Sequence, residues 1–158
     1  MELEVIQNKI FEIRGFKVML DFDLALLYNV ENKRLKEAVR RNLNRFPDDF
    51  MFELTKMEYD SLRSQIASLK NGRGQHLKYL PFAFTEQGIA MLSSILNSEK
   101  AIEVNISIIR AFVTMRQFTL TYSELKLDTR SNRYRETLAL IAAVSPGFRK
   151  QGFSRSFS

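Results

Sequence analysis

Residues 21–42 place two short stretches of helical periodicity on either side of a tight break, and this feature limits the fold more than any other. The small side chain of Ala25 would let two helices approach closely, and Val30 would pack beneath the break. Apolar residues recur at helical spacing in both stretches: Leu24, Leu27 and Tyr28, then Leu35, Ala38, Val39 and Leu43. The spacing predicts a helix-turn-helix, although two short packed helices of another kind would give the same pattern.

The polar residues of the second stretch are the candidate binding residues. Asn32 is a suitable N-cap for this helix, as Asp21 or Asp23 is for the first. With the apolar stripe facing inward, the residues expected to face outward are Asn32, Lys33, Arg34, Lys36, Glu37, Arg40 and Arg41. A major groove accepts one helix, so we expect base-edge contacts near the start of this helix and phosphate contacts further along. The predicted base contacts are Lys33, Arg34, Lys36, Glu37 and Arg40, and the predicted phosphate contacts are Arg41 and Arg45.

The positive charge of the chain is concentrated rather than spread. The net charge is +6, of which residues 1–122 carry +2 and residues 123–158 carry +4. Between Lys33 and Arg45 there are six bases and one acid, Glu37. Such a local cationic segment favours a polyanion, with nucleic acid the leading class, because field and counterion release act locally. The alternative is a solvated helix face that keeps the protein soluble.

The polar segment 70–76 supplies a second basic element with two glycines. Lys70 and Arg73 would suit a wing that contacts the DNA backbone or minor groove, but a solvated connection has the same composition. His76, the single histidine of the chain, is expected to be solvated there.

Alternating patterns predict a small antiparallel sheet. Residues 11–20 alternate on both sides of Arg14-Gly15, which predicts a β-hairpin, and residues 50–54 alternate as a half-buried strand. A further strand within 77–84 is interrupted by Pro81, which suggests an edge position.

Three further helices have start signals. Thr55 and Glu58 form a capping box, Thr85 can cap the next helix, and Asn97-Ser98 can stop that helix and cap the longest one. The longest helix has an apolar face that suits either a core or a subunit contact, and the core is the preferred interpretation. We expect the domain to end near Tyr122 and the basic tail 123–158 to be partly disordered, with little effect on stability.

Composition argues against several functional classes. The chain has no cysteine and one histidine, which disfavours disulfides, thiol nucleophiles and the usual zinc sites, and favours a cytoplasmic protein. There is no apolar run long enough for a membrane span and no signal-peptide pattern at the start. We expect no enzymatic activity and no cofactor or metal; Asp48-Asp49 could be proposed as a nuclease metal site, but the pair fits a turn better.

Three segments also resemble a known family in the family's order. They are KIFEIRGFKVMLDFDLALLYNVENKRLKEAVRRN, NRFPDDFMFELT and YLPFAFTEQGIAMLSSILNSEKAIEVNISIIRAFVTMR. Together they span a region from about residue 7 to 120. This region resembles the KilA-N-type DNA-binding domain of phage and prophage proteins, in the variety named after a phage open reading frame six. The resemblance implies a non-enzymatic DNA-binding module of phage-derived transcription regulators or antirepressor-like proteins.

The sequence therefore predicts an α+β domain, mostly helical with a small antiparallel sheet and a winged helix-turn-helix-like core. Double-stranded DNA is the predicted partner. The alternative is a protein-interaction module that binds a repressor, and the sequence leaves a homodimer open.

Overall fold

The computed structural model describes residues 3–67, 79–127, 136 and 139–143 of the chain. Helices predominate, and four short strands form a single sheet, so the α+β class is confirmed. The predicted basic loop 70–76 lies outside the described residues. The elements are α1 (Leu3–Gln7), β1 (Phe11–Ile13), β2 (Phe16–Leu20), α2 (Asp21–Tyr28), α3 (Asn32–Arg40), a 3-10 turn (Leu43–Arg45), β3 (Met51–Glu53), α4 (Lys56–Ala67), β4 (Phe82–Phe84), α5 (Glu86–Leu96) and α6 (Glu99–Leu127).

The predicted hairpin is confirmed. β1 pairs antiparallel with β2, with Ile13 opposite Phe16. The two turn residues between them have positive φ, 56° at Arg14 and 77° at Gly15. This backbone matches the right-handed twist of a hairpin, and glycine adopts it without a steric penalty.

The sheet is antiparallel in the order β1-β2-β4-β3, which corrects the predicted edge position of the proline-bearing strand. β4 pairs with both β2 and β3. Pro81 precedes its first residue, and the Pro81 carbonyl accepts a hydrogen bond from the Leu54 N–H at 3.0 Å. Proline is compatible with the start of a strand because its missing N–H is not needed there.

Residues on both faces of the central strands β2 and β4 are buried. Leu62 of α4 packs on one face, in a cluster with Val18, Leu20, Phe52, Leu54 and Ala83. Because side chains alternate along a strand, Phe82 and Phe84 point to the opposite face. There the Phe84 ring meets Phe46 edge to face at 6.0 Å.

The predicted caps of α4, α5 and α6 are confirmed. The Thr55 and Glu58 side chains each accept a hydrogen bond from the other's backbone N–H, at 3.2 and 2.9 Å. Thr85 accepts from Gly88 N–H, and Ser98 accepts from Ala101 N–H at 3.1 Å. These signals lie within one turn of the helix they start, so local sequence is enough to identify them.

The chain divides into two compact units, residues 9–106 and residues 1–8 with 107–158. Each contains part of α6, which runs to Leu127, five residues beyond the expected boundary. Its buried residues confirm a core helix: Ala101, Val104, Asn105, Ile108, Ala111 and Phe112. Ile102 and Ile106, predicted on the same apolar face, are instead about half exposed. Within the described part of the chain, no helix is both long enough and apolar enough to cross a membrane.

Candidate nucleic-acid interface

α2 and α3 form the predicted pair of short packed helices. Asn29 ends α2 in a left-handed conformation, with φ 58°, and its N–H donates to the Leu26 carbonyl at 3.2 Å. The next N–H, that of Val30, donates to the Ala25 carbonyl at 3.0 Å. This paired closure satisfies two helix-terminal carbonyls, and three residues separate α2 from α3.

Ala25 is 3% exposed, as its predicted place at the helix contact requires. Val30, however, is partly exposed, so the expectation that its side chain packs beneath the break is wrong. Its backbone N–H, rather than its side chain, contributes to the turn. Leu43 is likewise exposed, because α3 ends at Arg40 and the apolar stripe stops at Val39.

The predicted N-caps of this pair are also corrected. The residue before α2 is Leu20 and the residue before α3 is Glu31, and neither side chain makes a capping hydrogen bond. Asp21 and Asn32 are instead the first helical residues. The carboxylate of Asp21 is fully buried and engages partners from outside its own helix.

One side of α3 and the turn after it carries a group of exposed bases, which we call the cationic face: Lys33, Arg34, Arg40, Arg41 and Arg45. Glu37 is exposed among them. The opposite side of the helix is anchored by Leu35 and Val39, both fully buried. Five of the six bases between Lys33 and Arg45 are thus available to a polyanion on one short, fixed element.

Three members of the cationic face have contacts that orient them. The Arg34 Nε atom lies 3.8 Å from the Glu31 carboxylate, but both side chains are largely exposed, so this pair stabilises the fold little. The Arg40 guanidinium carbon is 5.5 Å from the centre of the Phe82 ring. Arg45 donates to the Ser94 hydroxyl of α5 at 3.2 Å.

Lys36 does not belong to this face, and its predicted outward position is wrong. It is 6% exposed. Its Nζ atom lies 3.2 Å from Asp21 Oδ2, donates to the Leu80 carbonyl at 2.8 Å and lies 4.7 Å from the centre of the Phe82 ring. A buried ammonium needs such partners to offset the loss of water.

The match with known proteins covers this region. A family model described as the ORF6N domain matches residues 8–95. The chain belongs to the ORF6N domain family. It is a phage-associated, KilA-N-like domain, so the resemblance noted in the sequence is confirmed. No curated protein and no solved structure matches the chain significantly.

The ORF6N match takes in the whole sheet, the α2–α3 pair, α4 and nearly all of α5. It ends before α6, which the third resembling segment includes. Within the matched region, Asn32 is half-buried rather than fully outward, and its Oδ1 atom is buried without a hydrogen-bond partner among the described residues. Lys70 and Arg73 fall inside the match but outside the described residues.

Sequence patterns missed the partners that hold the ORF6N helix pair in place. Asp21 was interpreted as a cap and Phe82 only as a strand residue, yet both contact Lys36. The sequence did contain a sign that Asp21 is buried, because this acid lies between the apolar residues Leu20 and Phe22. Its partners are 15 and 61 positions away, and periodicity carries no information at that distance.

A buried polar network supports α2 from its other end. The Tyr28 hydroxyl donates to Asn105 Oδ1, and the Asn105 amide donates to the Ile89 carbonyl at 3.0 Å and to the Ser93 hydroxyl. Burial raises the pKa of Tyr28 well above its usual range, so the phenol stays a hydrogen-bond donor at physiological pH. The network ties α2 to α5 and to the first turns of α6.

Among the residues that the structure describes, no three His, Cys, Asp or Glu side chains are grouped as a metal site would require. The expectation that the ORF6N domain has no enzymatic activity stays a prediction. The chemistry available on the cationic face is ionic and hydrogen-bonding contact with a large anion.

Proposed function

We propose that this ORF6N domain binds double-stranded DNA as part of a phage- or prophage-derived regulator, with α3 in the major groove. The observation that carries the proposal is the cationic face, whose five exposed bases lie on α3, which is anchored on its other side, and on the turn after it. A cationic surface on a rigid element gains affinity from counterion release without first ordering a flexible chain.

The dimensions of α3 suit this role. An α-helix with its side chains is about 10 to 12 Å across and the major groove is about 12 Å wide, so α3, with its nine residues, fits the groove. Lys33, Arg34 and Glu37 are exposed near the start of the helix, where a helix-turn-helix contacts base edges. Arg41 and Arg45 follow at its end, where phosphate contacts are expected.

Two of the predicted contacts need separate treatment. Arg40 remains a candidate for the edge of the groove, because its guanidinium is exposed while it contacts Phe82. Lys36 is removed from the set of direct contacts. A winged arrangement, in which Lys70 and Arg73 contact the backbone, remains part of the proposal.

The test replaces two bases of the cationic face that make no contact with the core. Arg34→Ala with Arg41→Ala should weaken binding to duplex DNA by at least about tenfold, as measured by fluorescence anisotropy, with the circular dichroism spectrum unchanged. The matched control is Arg110→Ala with Arg116→Ala, which removes the same charge from exposed positions of α6 and should change affinity by less than about twofold.

Equal losses in the two double variants would mean that net charge alone attracts DNA and that α3 has no special role. Unchanged affinity in the folded Arg34/Arg41 variant would remove α3 as the contact element. A wild-type domain that binds no duplex, selected or random, would reject the proposal and favour the alternative of a repressor-binding module.

A further inference from the structure

Lys36 is the one base of the 33–45 segment that is buried, and its environment is more specific than stability requires. Its ammonium group meets three different partners: a carboxylate oxygen of Asp21, the Leu80 carbonyl and the face of the Phe82 ring. Of these three partners, the Leu80 carbonyl accepts a hydrogen bond, while the Asp21 carboxylate and the Phe82 ring offset the ammonium charge.

Asp21 is equally well satisfied. Its Oδ2 atom accepts from the Phe82 N–H at 3.0 Å in addition to facing Lys36, and its Oδ1 atom accepts from the Phe22 N–H at 2.7 Å. The pair therefore joins three elements: the start of α2, the middle of α3 and the start of β4.

The apolar contacts of α3 are less directional than its polar contacts. Leu35 and Val39 are non-directional contacts that tolerate a helix turning or sliding by a fraction of a residue. The ion pair and its hydrogen bonds are directional and hold only in one arrangement. Buried ion pairs add little net stability, and their best-attested use is to specify one arrangement over others.

The position of Lys36 also affects the exposed side chains of α3, because they belong to the same helix. Lys33 precedes Lys36 by three residues and Arg40 follows it by four, so both lie within one turn of it. Arg40 also contacts the same Phe82 ring, from 5.5 Å. Holding Lys36 in place therefore determines where the cationic face points.

We infer that Lys36 and Asp21 are positioning residues that fix the rotation of α3, and thereby the selectivity of the cationic face for a DNA sequence, without either residue touching DNA. The inference rests on the DNA-binding function proposed above. It replaces a direct role of Lys36 in base contact with an indirect one.

The test is Asp21→Asn with Lys36→Met, which removes both charges together while keeping an oxygen that can accept from Phe82 and a long side chain beside its ring. Replacing both partners of a buried pair avoids leaving one charge unpaired. Arg41→Met, an exposed base just after α3 and a predicted phosphate contact, is the matched control. Should the double variant not fold, Lys36→Arg, which keeps both charges but changes the geometry of their contact, serves as the second variant.

The main measurement is binding of the full chain to a duplex selected by the wild type and to a scrambled duplex, over a range of salt. In the double variant, preference for the selected duplex should fall about tenfold, spread over several base pairs, while affinity for the scrambled duplex stays within about twofold. The salt slope should not change. Arg41→Met should instead reduce the magnitude of the slope by about 1.

Other outcomes overturn the inference. A loss confined to one base pair would make Lys36 a direct base contact, and a slope reduced by about 1 would make it a phosphate contact. Unchanged preference in a folded double variant would leave the pair with a purely structural role.

Hydrogen exchange of the unbound protein tests the positioning role independently of the proposed DNA-binding function. Amides of α3 should lose protection in the double variant about tenfold more than amides of α4. Equal protection in the two helices would refute the positioning role whether or not the protein binds DNA. Failure of the wild type to bind any duplex would refute the function alone, and the exchange result would still decide whether the pair holds α3.

Discussion

The Nζ atom of Lys36 lies 3.2 Å from the Oδ2 atom of Asp21, and neither residue exposes more than 6% of its surface. The two charges are held inside the protein on α3 and α2. Each charge offsets the free energy that the other loses when it leaves water. Removal of one therefore leaves an uncompensated buried charge.

Lys36→Ala should therefore lower the free energy of unfolding by about 3 to 5 kcal/mol. Urea denaturation followed by circular dichroism measures it. Lys33→Ala, on the same helix but exposed, should change stability by less than about 0.5 kcal/mol. A loss at Lys36 no larger than that at Lys33 would show that the ammonium is solvated in solution.

Local signals in the sequence predicted the elements that depend on neighbouring residues. The Arg14-Gly15 turn, the Thr55/Glu58 capping box and the Thr85 and Ser98 caps are all complete within four residues, and all are confirmed. The break after α2 was predicted for the same reason. Chemistry that closes within one turn is visible without knowledge of the fold.

Features that depend on distant partners were not predictable in this way. The central place of β4 is set by pairing with β2 and β3, and the burial of Lys36 is set by Asp21 and Leu80. A lysine four residues from the end of a basic helix looks like any other base in the sequence. The sequence predicts a group of exposed bases in this segment, but only the structure shows which bases belong to the cationic face.

Gly88 lies where α5 passes the backbone that leads into β3. A Cβ atom placed there would lie 2.0 Å from the Phe50 carbonyl oxygen, which is far inside contact distance. Gly88→Ala should therefore destabilise the fold by about 1 to 3 kcal/mol, although the same change in an open helix gains about 1 kcal/mol. Thermal denaturation compares it with Gln87→Ala, an exposed position in the same turn. A stabilised Gly88→Ala variant would contradict the close approach.

Glu58 should make stability depend on pH in the acid range. Hydrogen bonds from Arg14, at 2.8 and 2.9 Å, are the largest cause that holds the pKa of Glu58 at about 2, and the Thr55 N–H adds to them. Because the folded pKa lies below the ordinary value of 4.5, the contribution is fully present above pH 4.5 and is lost as pH falls towards 2.

Glu58→Gln should thus be less stable than the wild type at pH 7, by up to about 1 kcal/mol because the Arg14 pair is partly exposed. The difference should shrink steadily between pH 4.5 and 2. Urea midpoints measured across this range test it, with Glu12→Gln, an exposed acid on β1, as the control. A gap that stays constant with pH would mean that the Glu58 charge is not involved.

Duplex binding should depend on salt in proportion to the cationic face. If four or five phosphates are neutralised by its bases, the slope of log K against log salt should be about −4. Arg41→Ala with Arg45→Ala, which removes the two predicted phosphate contacts, should bring the slope to about −2. A slope near zero in the wild type would argue against phosphate contacts and for a protein partner.

The tail is expected to have little effect on stability, but Ile141 is only 7% exposed, while its neighbour Leu140 is 67% exposed. Residues 139–143 are helical, which places the two side chains on different sides of the turn. Ile141→Ala should therefore lower the free energy of unfolding by about 2 kcal/mol or more, since a buried isoleucine loses both apolar burial and packing. Leu140→Ala should change it by less than about 0.5 kcal/mol.

Deletion of residues 145–158 tests which part of the tail contributes to stability. The deleted segment holds three bases and no acid, so its loss should weaken DNA binding modestly at low salt and negligibly at high salt. The melting temperature should stay the same, because the deletion retains Ile141. Deletion of residues 124–158 should lower the melting temperature, since it removes that buried side chain. Equal melting temperatures for the two deletions would mean that the stable domain ends near Tyr122, as the sequence predicts.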